Sequence, residues 1–315
     1  MLLVTADVPD FKFDGKMVKC APKDVDKYLS EAEYILCTVT TNLKDLRKAK
    51  HLKLISTISV GVDHIDVEYC KQNNIKIGYT PDVLTDAVAD VTIGLILMTM
   101  RKLLYASRLV MKDKPFHDFS LFNEVVGVDI KHKTIGIIGL GRIGYNIAKR
   151  LSAFNVNKIL YHGLSGPKPY DDFQFGEKTI SLIYISELTD LVQKSDVVIM
   201  SCALNESTRK MADSDFFSQM KSTAFFFNIA RGQLVDTNAL VDALRSNKIA
   251  GAGLDVVDPE PIPVDHPLLK MDNVVVLPHI ASAGKETRMG MFNLALKNMN
   301  QFKLNNTLCT EYIKQ

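Results

Sequence analysis

Residues 134–144 have the sequence TIGIIGLGRIG, an apolar run followed by three glycines spaced as G-x-G-x-x-G. A strand, a tight turn and a helix start in this order are typical of dinucleotide-binding folds. Such a turn lets the backbone approach a pyrophosphate, and the helix N-terminus offers unpaired N–H groups and a partial positive charge. A glycine-rich turn without a ligand is the alternative. The stretch therefore predicts a pyrophosphate site formed by Gly139, Leu140, Gly141, Arg142, Ile143 and Gly144.

Short apolar runs and helical patterns alternate outward from this turn in both directions. From the turn onward, strands are predicted over residues 134–139, 158–161, 196–201, 223–228, 250–255 and 274–277, and helices over 143–154, 187–194, 213–220 and 237–246. Before it, strands are predicted over residues 2–5, 34–37, 54–57 and 76–78, and helices over 24–30, 43–49 and 67–73. This alternation predicts two parallel sheets covered by helices on both faces.

A length of 315 residues fits two domains of ordinary size. One long helix over residues 85–112 is predicted to span their junction, and a loop over 114–129 to follow it. A helix over 284–302 is predicted to return the chain to the first domain. We therefore expect an α/β protein with two Rossmann-like domains and parallel sheets. A discontinuous substrate (lid) domain would comprise residues 1–99 and 285–315, and the dinucleotide-binding domain residues 100–284.

The composition favours a globular protein without a strongly charged surface. The formal net charge is only +2, which argues against nucleic acid or a membrane surface as the main partner. The five cysteines are odd in number, and no pair has C-x-x-C spacing, so free thiols in a reducing compartment are expected. Residues 1–8 fit a first strand better than a signal peptide. We expect a cytoplasmic protein without a metal site, since no Cys/His cluster has ligand spacing.

The end of the second strand after the glycine turn indicates which dinucleotide is bound. An NAD site favours Asp or Glu there, as acceptor for the ribose hydroxyls. This chain has no carboxylate before Asp171, and a carboxylate would repel a 2′-phosphate. His162, Ser165 and Lys168 are the candidates for binding that phosphate, although Lys168 is equally explained as a solvated loop residue. NADP(H) is therefore the expected preference, with NAD(H) as the alternative.

Three polar residues stand at predicted strand ends in the C-terminal half: Arg231, Glu260 and His279. Open α/β sheets bind ligands at the carboxyl ends of their strands. Arginine clamps a carboxylate with two parallel hydrogen bonds, histidine donates a proton to a carbonyl oxygen, and glutamate orients and charges the histidine. A single histidine after a strand is more often a surface or capping residue, and a glutamate between prolines is usually a solvated loop residue, so the triplet is informative only jointly. Together these residues suit the reduction of a 2-oxo acid.

Over nearly its whole length the chain resembles the D-2-hydroxyacid dehydrogenase family, and most of all its glyoxylate/hydroxypyruvate reductases. The matching segments, besides the glycine turn, are SVGVDH at 59–64, GYTPDVLTD at 78–86, NIARG at 228–232, GLDV at 253–256, DPEP at 258–261 and LPHI at 277–280. The resemblance implies catalytic roles for Arg231, Glu260 and His279. It also implies that Val60 and Gly61 present backbone N–H groups to the substrate carboxylate and that Ser282 borders the substrate.

The resemblance assigns further residues to the cofactor. Asp255 corresponds to the family's acceptor for the nicotinamide carboxamide, with a carboxylate buried at a strand end as the alternative. Ala203, Ile229 and Ala281 would line the cofactor through backbone or apolar contacts. A homodimer is also implied, formed through the long helix and the loop after it.

Three departures from the family pattern bear on these expectations. The family often carries tryptophans in the loop before the glycine-rich domain, whereas this chain has no Trp and places Phe116, Phe119 and Phe122 there. Leu164 stands where the family's reductases often have Arg, which weakens the expectation of NADP. Asp90 stands where the family usually has Glu, an exchange that we expect to be structural.

The sequence thus predicts a reductase that converts glyoxylate to glycolate and hydroxypyruvate to D-glycerate with NADPH. Two alternatives stay open. The first is a dehydrogenase for another 2-hydroxy acid. The second is a dinucleotide-sensing corepressor, since one branch of this family binds partner peptides.

Overall fold

The computed structural model describes residues 1–111 and 122–312. The chain forms two compact units, one comprising Met1–Leu84 with Ala283–Gln315 and the other Thr85–Ser282. The N-terminal segment of the first unit ends at Leu84, whereas the sequence predicts that it extends to residue 99. The reason is that the helix beginning at Thr85 packs against elements of the second unit.

The first unit is built on a five-stranded, fully parallel sheet. Its strands are β1 (Leu2–Val4), β2 (Met17–Lys19), β3 (Tyr34–Cys37), β4 (Leu54–Thr57) and β5 (Lys76–Gly78). Their order, β2-β1-β3-β4-β5, is the flavodoxin-like order of doubly wound sheets. Strand β2 was not predicted, because this short edge strand carries no apolar run and is mostly exposed.

Of the three helices predicted within residues 1–84, two are wrong in type or existence, and the third, α1 (Val67–Gln72), is present. Residues 24–30 fall in two 3-10 helices, Pro22–Lys27 and Leu29–Glu31. Residues 43–49 form no helix. The Asn42 side chain accepts the Lys44 N–H at 3.1 Å and that of Asp45 accepts the Arg47 N–H at 3.2 Å. Such local bonds compete with helical ones.

The second unit contains a seven-stranded parallel sheet and a small antiparallel hairpin. Its elements are α2 (Thr85–Met100), α3 (Leu103–Met111), α4 (Phe122–Val125), β6 (Thr134–Ile138), α5 (Arg142–Ser152), β7 (Lys158–His162), the hairpin β8 (Phe173–Phe175) and β9 (Lys178–Ile180), β10 (Leu182–Tyr184), α6 (Leu188–Lys194), β11 (Val197–Met200), α7 (Ser214–Gln219), β12 (Phe225–Asn228), α8 (Thr237–Arg245), β13 (Gly251–Leu254) and β14 (Val274–Val276).

The strand order β10-β7-β6-β11-β12-β13-β14 is the dinucleotide-binding order 3-2-1-4-5-6 with one strand added. The order reverses between β6 and β11, and the glycine turn follows β6 at this switch point. Ligands of open α/β sheets bind at such a point. The predicted class, α/β with two Rossmann-like parallel sheets, is confirmed.

The long helix predicted over residues 85–112 is wrong as a single element. It breaks between α2 and α3, where Lys102 adopts a left-handed conformation with φ of 52°. The Val128 N–H donates to the Met100 carbonyl at 2.8 Å, so a distant segment occupies the acceptor that the next helical turn would use. The later part of the predicted loop over 114–129 contains α4, and its residues 114–121 lie outside the described ranges.

Helix α9 (Lys285–Asn305) belongs to the first unit and packs on β4. The Ser56 hydroxyl donates to the Ala295 carbonyl at 2.9 Å across this contact. In the part of the chain that the structure describes, no helix is both long and apolar enough to cross a membrane.

Candidate active site

The glycine turn has the geometry that a pyrophosphate site needs. Gly139 has φ of 96°, and a Cβ there would lie 2.7 Å from Cα of Cys202. A Cβ on Gly144 would collide with the Gly139 carbonyl oxygen, so both positions require glycine. At Gly141, in contrast, a Cβ would meet nothing within 4 Å. The backbone at Gly141 is thus open to an approaching ligand while its neighbours are closely packed.

The N-terminus of α5 is suited to an anion. Gly141 is the N-cap, no side chain of the described residues caps the helix, and its first turn has no acidic residue. Ile147, Ala148 and Leu151 are fully buried and fix the helix against the sheet. The first N–H groups of a helix lack intrahelical acceptors, so these donors fit the phosphates of a dinucleotide.

The loop after β7 contains the predicted 2′-phosphate residues. The Tyr161 hydroxyl accepts the Lys168 N–H at 2.8 Å and closes the base of this loop. His162 Nδ1 lies 3.0 Å from the Ile185 carbonyl oxygen, which can only accept, so Nδ1 carries a proton. A neutral His162 ring would then present Nε2 as an acceptor. Ser165 is exposed and Lys168 is half-buried.

Glu260 and His279 form a direct pair. His279 Nδ1 lies 2.8 Å from Glu260 Oε1, and the two side chains are 28% and 39% exposed. The carboxylate can accept the Nδ1–H, and it orients the imidazole so that Nε2 is the outer nitrogen. The peptide bonds before Pro259 and Pro261, on either side of Glu260, are both cis.

Asp255 holds the turn that carries His279. Its carboxylate is 1% exposed and accepts the N–H of Ile280 at 2.8 Å and that of Ala281 at 3.0 Å. The His279 N–H donates to the Asp255 carbonyl at 2.8 Å, and His279 has φ of 54°. Asp255 therefore fixes the backbone of the turn that carries His279.

Arg231 lies in the loop after β12, close to the segment that leads to Glu260. A Cβ on Gly232 would collide with the carbonyl oxygen of Val257, so the two loops touch at this glycine. The Arg231 side chain donates to the Ala230 carbonyl at 2.7 Å, and Asn228 donates to the Arg231 carbonyl at 2.8 Å. The second unit therefore gathers the Arg231, Glu260 and His279 loops at the carboxyl end of its sheet.

Val60 and Gly61 lie in the first unit, in the loop after β4. Both are half-buried, and among the described residues neither backbone N–H has an acceptor. The Thr80 N–H donates to the Ser59 carbonyl at 2.9 Å and ties the loop to the segment after β5. Two unpaired N–H groups on a fixed loop are suitable donors for a carboxylate.

The remaining predicted residues fall into two groups by exposure. Ala203 is exposed and Ser282 half-buried, so both have surface that a ligand can contact. Ile229 and Ala281 retain only 7% and 4% exposure and present little surface to a ligand. Phe116 and Phe119 lie outside the described residues, and Phe122 begins α4.

The family comparison agrees with this arrangement. Residues 93–281 match the sequence profile described as D-isomer specific 2-hydroxyacid dehydrogenase, NAD binding domain. The chain belongs to the D-isomer-specific 2-hydroxyacid dehydrogenase family. The resemblance noted in the sequence is thereby confirmed, and so is a site for a nicotinamide dinucleotide.

Individual members of this family are similar to the chain over most of its length. Glyoxylate reductase of Thermofilum pendens is 42% identical over 276 residues, 86% of this chain and 78% of that protein. Human glyoxylate reductase/hydroxypyruvate reductase is 40% identical over 285 residues, 88% of this chain and 83% of that protein. The structure of NADPH-dependent glyoxylate/hydroxypyruvate reductase from Sinorhizobium meliloti, in complex with NADP and malonate, superposes with a TM-score of 0.82 at 30% identity and covers 99% of this chain and 96% of that chain.

One departure from the family pattern, Asp90, has a local explanation in the structure. Asp90 of α2 accepts a hydrogen bond from Arg150 of α5 at 2.6 Å, and Asp86 accepts a second at 2.9 Å. The shorter acid therefore has a partner between two packed helices. Leu164 is 81% exposed, so the position of the family's Arg faces solvent.

Sequence reasoning missed the anchoring role of Asp255 and the support of the Val60–Gly61 loop. Asp255 was considered as a cofactor contact or a buried strand-end carboxylate, and its two bonds to backbone N–H groups were not foreseen. A buried Asp directly after an apolar strand was the one available signal.

Proposed function

We propose that this enzyme reduces small 2-oxo acids, glyoxylate to glycolate and hydroxypyruvate to D-glycerate. The observation that carries the proposal is the 2.8 Å pair of His279 and Glu260 beside the Arg231 loop. A proton donor and a carboxylate-binding arginine are the two groups that reduction of a 2-oxo acid requires from the protein.

In this proposal His279 protonates the substrate. Glu260 holds the Nδ1–H, so the imidazolium donates its Nε2 proton to the carbonyl oxygen as the carbonyl carbon accepts hydride. The ring is left neutral, and its remaining proton on Nδ1 stays hydrogen-bonded to Glu260. Asp255 keeps the ring in place by fixing the backbone of residues 279–281.

The substrate carboxylate would be bound by Arg231, whose guanidinium matches a carboxylate with two hydrogen bonds. The N–H groups of Val60 and Gly61 would donate to the same carboxylate, and Ser282 would border the substrate. Because a planar carboxylate with an adjacent carbonyl matches all these donors, the arrangement favours 2-oxo acids as the substrate class.

A nicotinamide dinucleotide, when bound, supplies the hydride. The glycine turn would hold its pyrophosphate and Asp255 its carboxamide. Ala203 would line the site, and Ile229 and Ala281 would contribute only the small surface that their burial leaves exposed. We propose a preference for NADPH, because the loop after β7 has no carboxylate before Asp171 and includes Lys168. The preference predicts a lower KM for NADPH than for NADH, and equal or better use of NADH would contradict it.

Two further proposals concern the protein as a whole. Its five cysteines are all free thiols, which fits work in the cytoplasm. We propose a homodimer formed around α3, where Val110 and Met111 are 56% and 73% exposed. Sedimentation velocity measures this state directly, and a monomer at micromolar concentration would contradict the dimer.

The activity is tested with purified protein and NADPH, by following the loss of its near-ultraviolet absorbance after addition of glyoxylate, hydroxypyruvate, pyruvate or 2-oxoglutarate. We expect saturable oxidation with glyoxylate and hydroxypyruvate and much weaker oxidation with the bulkier 2-oxoglutarate. Reactions without acid, and with an aldehyde that lacks the carboxylate, are the controls. Absence of turnover with every 2-oxo acid and both dinucleotides would overturn the proposal.

A further inference from the structure

A chain of buried polar side chains lies behind the Val60–Gly61 loop, within the first unit. Thr57 Oγ1 lies 3.2 Å from His64 Nε2 and 2.7 Å from Ser59 Oγ, and Ser59 Oγ donates to the Gly61 carbonyl at 2.7 Å. Thr57 is fully buried, and Ser59 and His64 are 5% and 8% exposed. Three polar side chains buried this deeply are costly unless they are bonded to one another.

The direction of each bond in this chain follows from the number of protons. A hydroxyl has one proton to donate, and that of Ser59 goes to the Gly61 carbonyl, which can only accept. The Ser59 oxygen therefore accepts from Thr57. Because the Thr57 proton is then used, its oxygen accepts from His64, so His64 Nε2 carries a proton. The relay runs in one direction, from the imidazole to the loop carbonyl.

The relay also restricts the loop itself. The bond from Ser59 Oγ to the Gly61 carbonyl closes a ring that contains Val60, so it limits the backbone dihedrals that set the direction of the Val60 and Gly61 N–H groups. The Thr80 N–H holds the Ser59 carbonyl from the other side. The His64 carbonyl accepts the Leu43 N–H at 2.8 Å, so the backbone of His64, where the relay begins, is also held in place.

We propose that Thr57, Ser59 and His64 are positioning residues that aim the N–H groups of Val60 and Gly61 at the substrate carboxylate. This inference rests on the proposed function, in which those two N–H groups bind the carboxylate. The relay is neutral where it meets the loop. A charged support would be unsuitable there, because a carboxylate in its place would repel the anionic substrate and compete for the same N–H groups.

The test compares Thr57→Val, which keeps the shape of the side chain but interrupts the relay, with Thr57→Ser, which keeps the hydroxyl. The matched control is Thr41→Val, which removes a buried hydroxyl pair with Thr5 at 2.7 Å in the same unit. We expect Thr57→Val to raise the KM for glyoxylate and the dissociation constant of oxamate, a non-reacting analogue, by about tenfold. The values of kcat and of KM for NADPH should stay within about twofold.

Thr57→Ser should restore most of the lost affinity, and Thr41→Val should leave oxamate binding unchanged. A Thr57→Val enzyme that binds oxamate as the wild type does would overturn the inference and leave the proposed function intact. Wild-type protein that reduces no 2-oxo acid and binds no oxamate would overturn both. Equal losses of affinity in Thr57→Val and Thr41→Val would show a merely structural role and also overturn the inference.

A measurement on the wild-type protein avoids the risk that a variant fails to fold. Nitrogen-15 chemical shifts of the His64 ring, assigned by comparison with His64→Gln, report which ring nitrogens are protonated. We expect a proton on Nε2. A bare Nε2 would reverse the relay at its first bond and contradict the inference.

Discussion

Two loops of this enzyme perform related tasks with opposite kinds of support. The loop after β4 presents the N–H groups of Val60 and Gly61, and hydroxyls and an imidazole hold it in place. The turn after β14 presents His279, and two carboxylates, Asp255 and Glu260, hold it in place. The difference follows from what each loop has to leave free. Carboxylates accept the Nδ1–H and the backbone N–H groups of the histidine turn, whereas a carboxylate that accepted the N–H groups of Val60 and Gly61 would exclude an anionic substrate.

His279→Gln should have the largest effect, because it removes the proposed proton donor and leaves the turn intact. We expect kcat to fall by about three orders of magnitude or more, with the dissociation constant of NADPH nearly unchanged. Steady-state kinetics and fluorescence titration measure the two quantities. His266→Gln is the matched control, since His266 is a half-buried helix cap of the same unit. A variant that barely slows the reaction would contradict the assignment of His279.

Asp255→Asn should have the second largest effect. The asparagine amide would point a donor at one of the two backbone N–H groups that the carboxylate now accepts. The histidine turn should shift, and kcat should fall about a hundredfold together with the Tm. Asp236→Asn is the control for the loss of a charged acceptor elsewhere in the unit, because Asp236 accepts two backbone N–H groups on Oδ1 at the start of α8 and pairs with Lys210 through Oδ2. Equal kinetic losses in both variants would show that the Asp255 effect is not specific to the turn.

The smallest expected effect is a difference in thermal stability between a variant of the Val60–Gly61 loop support and a variant of the histidine-turn support. Thr57→Val removes neutral hydrogen bonds worth about 1 kcal/mol each, whereas Asp255→Asn removes charge-assisted ones worth about 1.5–3 kcal/mol each. We therefore expect Thr57→Val to lower the apparent Tm less than Asp255→Asn does. Scanning calorimetry of both variants measures this difference. The reverse order would contradict the view that the charged anchor is the stronger one.

Sequence reasoning predicted the elements whose pattern is local and apolar. All ten predicted strands are present, because parallel strands buried on both faces are continuous apolar runs. The helix break at Lys102 was not predictable in this way. It depends on Val128, which is far along the chain and donates its N–H to the Met100 carbonyl. The helix predicted over residues 43–49 is also wrong because of a contact with a distant residue, since Leu43 forms an isolated bridge with Ile65.

The candidate site was predictable where a polar residue follows an apolar strand, as at Arg231 and His279. The pairing of Glu260 with His279 was expected from their chemistry, and the structure places them in contact. The relay from His64 to Gly61 was not predictable. Thr57, Ser59 and His64 follow no spacing rule, and their order of donation emerges only once the loop has folded on itself.

The most direct test of the central claim is the configuration of the product formed from hydroxypyruvate. Purified enzyme, NADPH and hydroxypyruvate are incubated to completion, and the glycerate is resolved by chiral chromatography. A reductase of the D-isomer-specific family with His279 as proton donor is expected to yield D-glycerate, with consumption of one NADPH per molecule formed. L-glycerate, a racemic mixture or no glycerate at all would contradict the account.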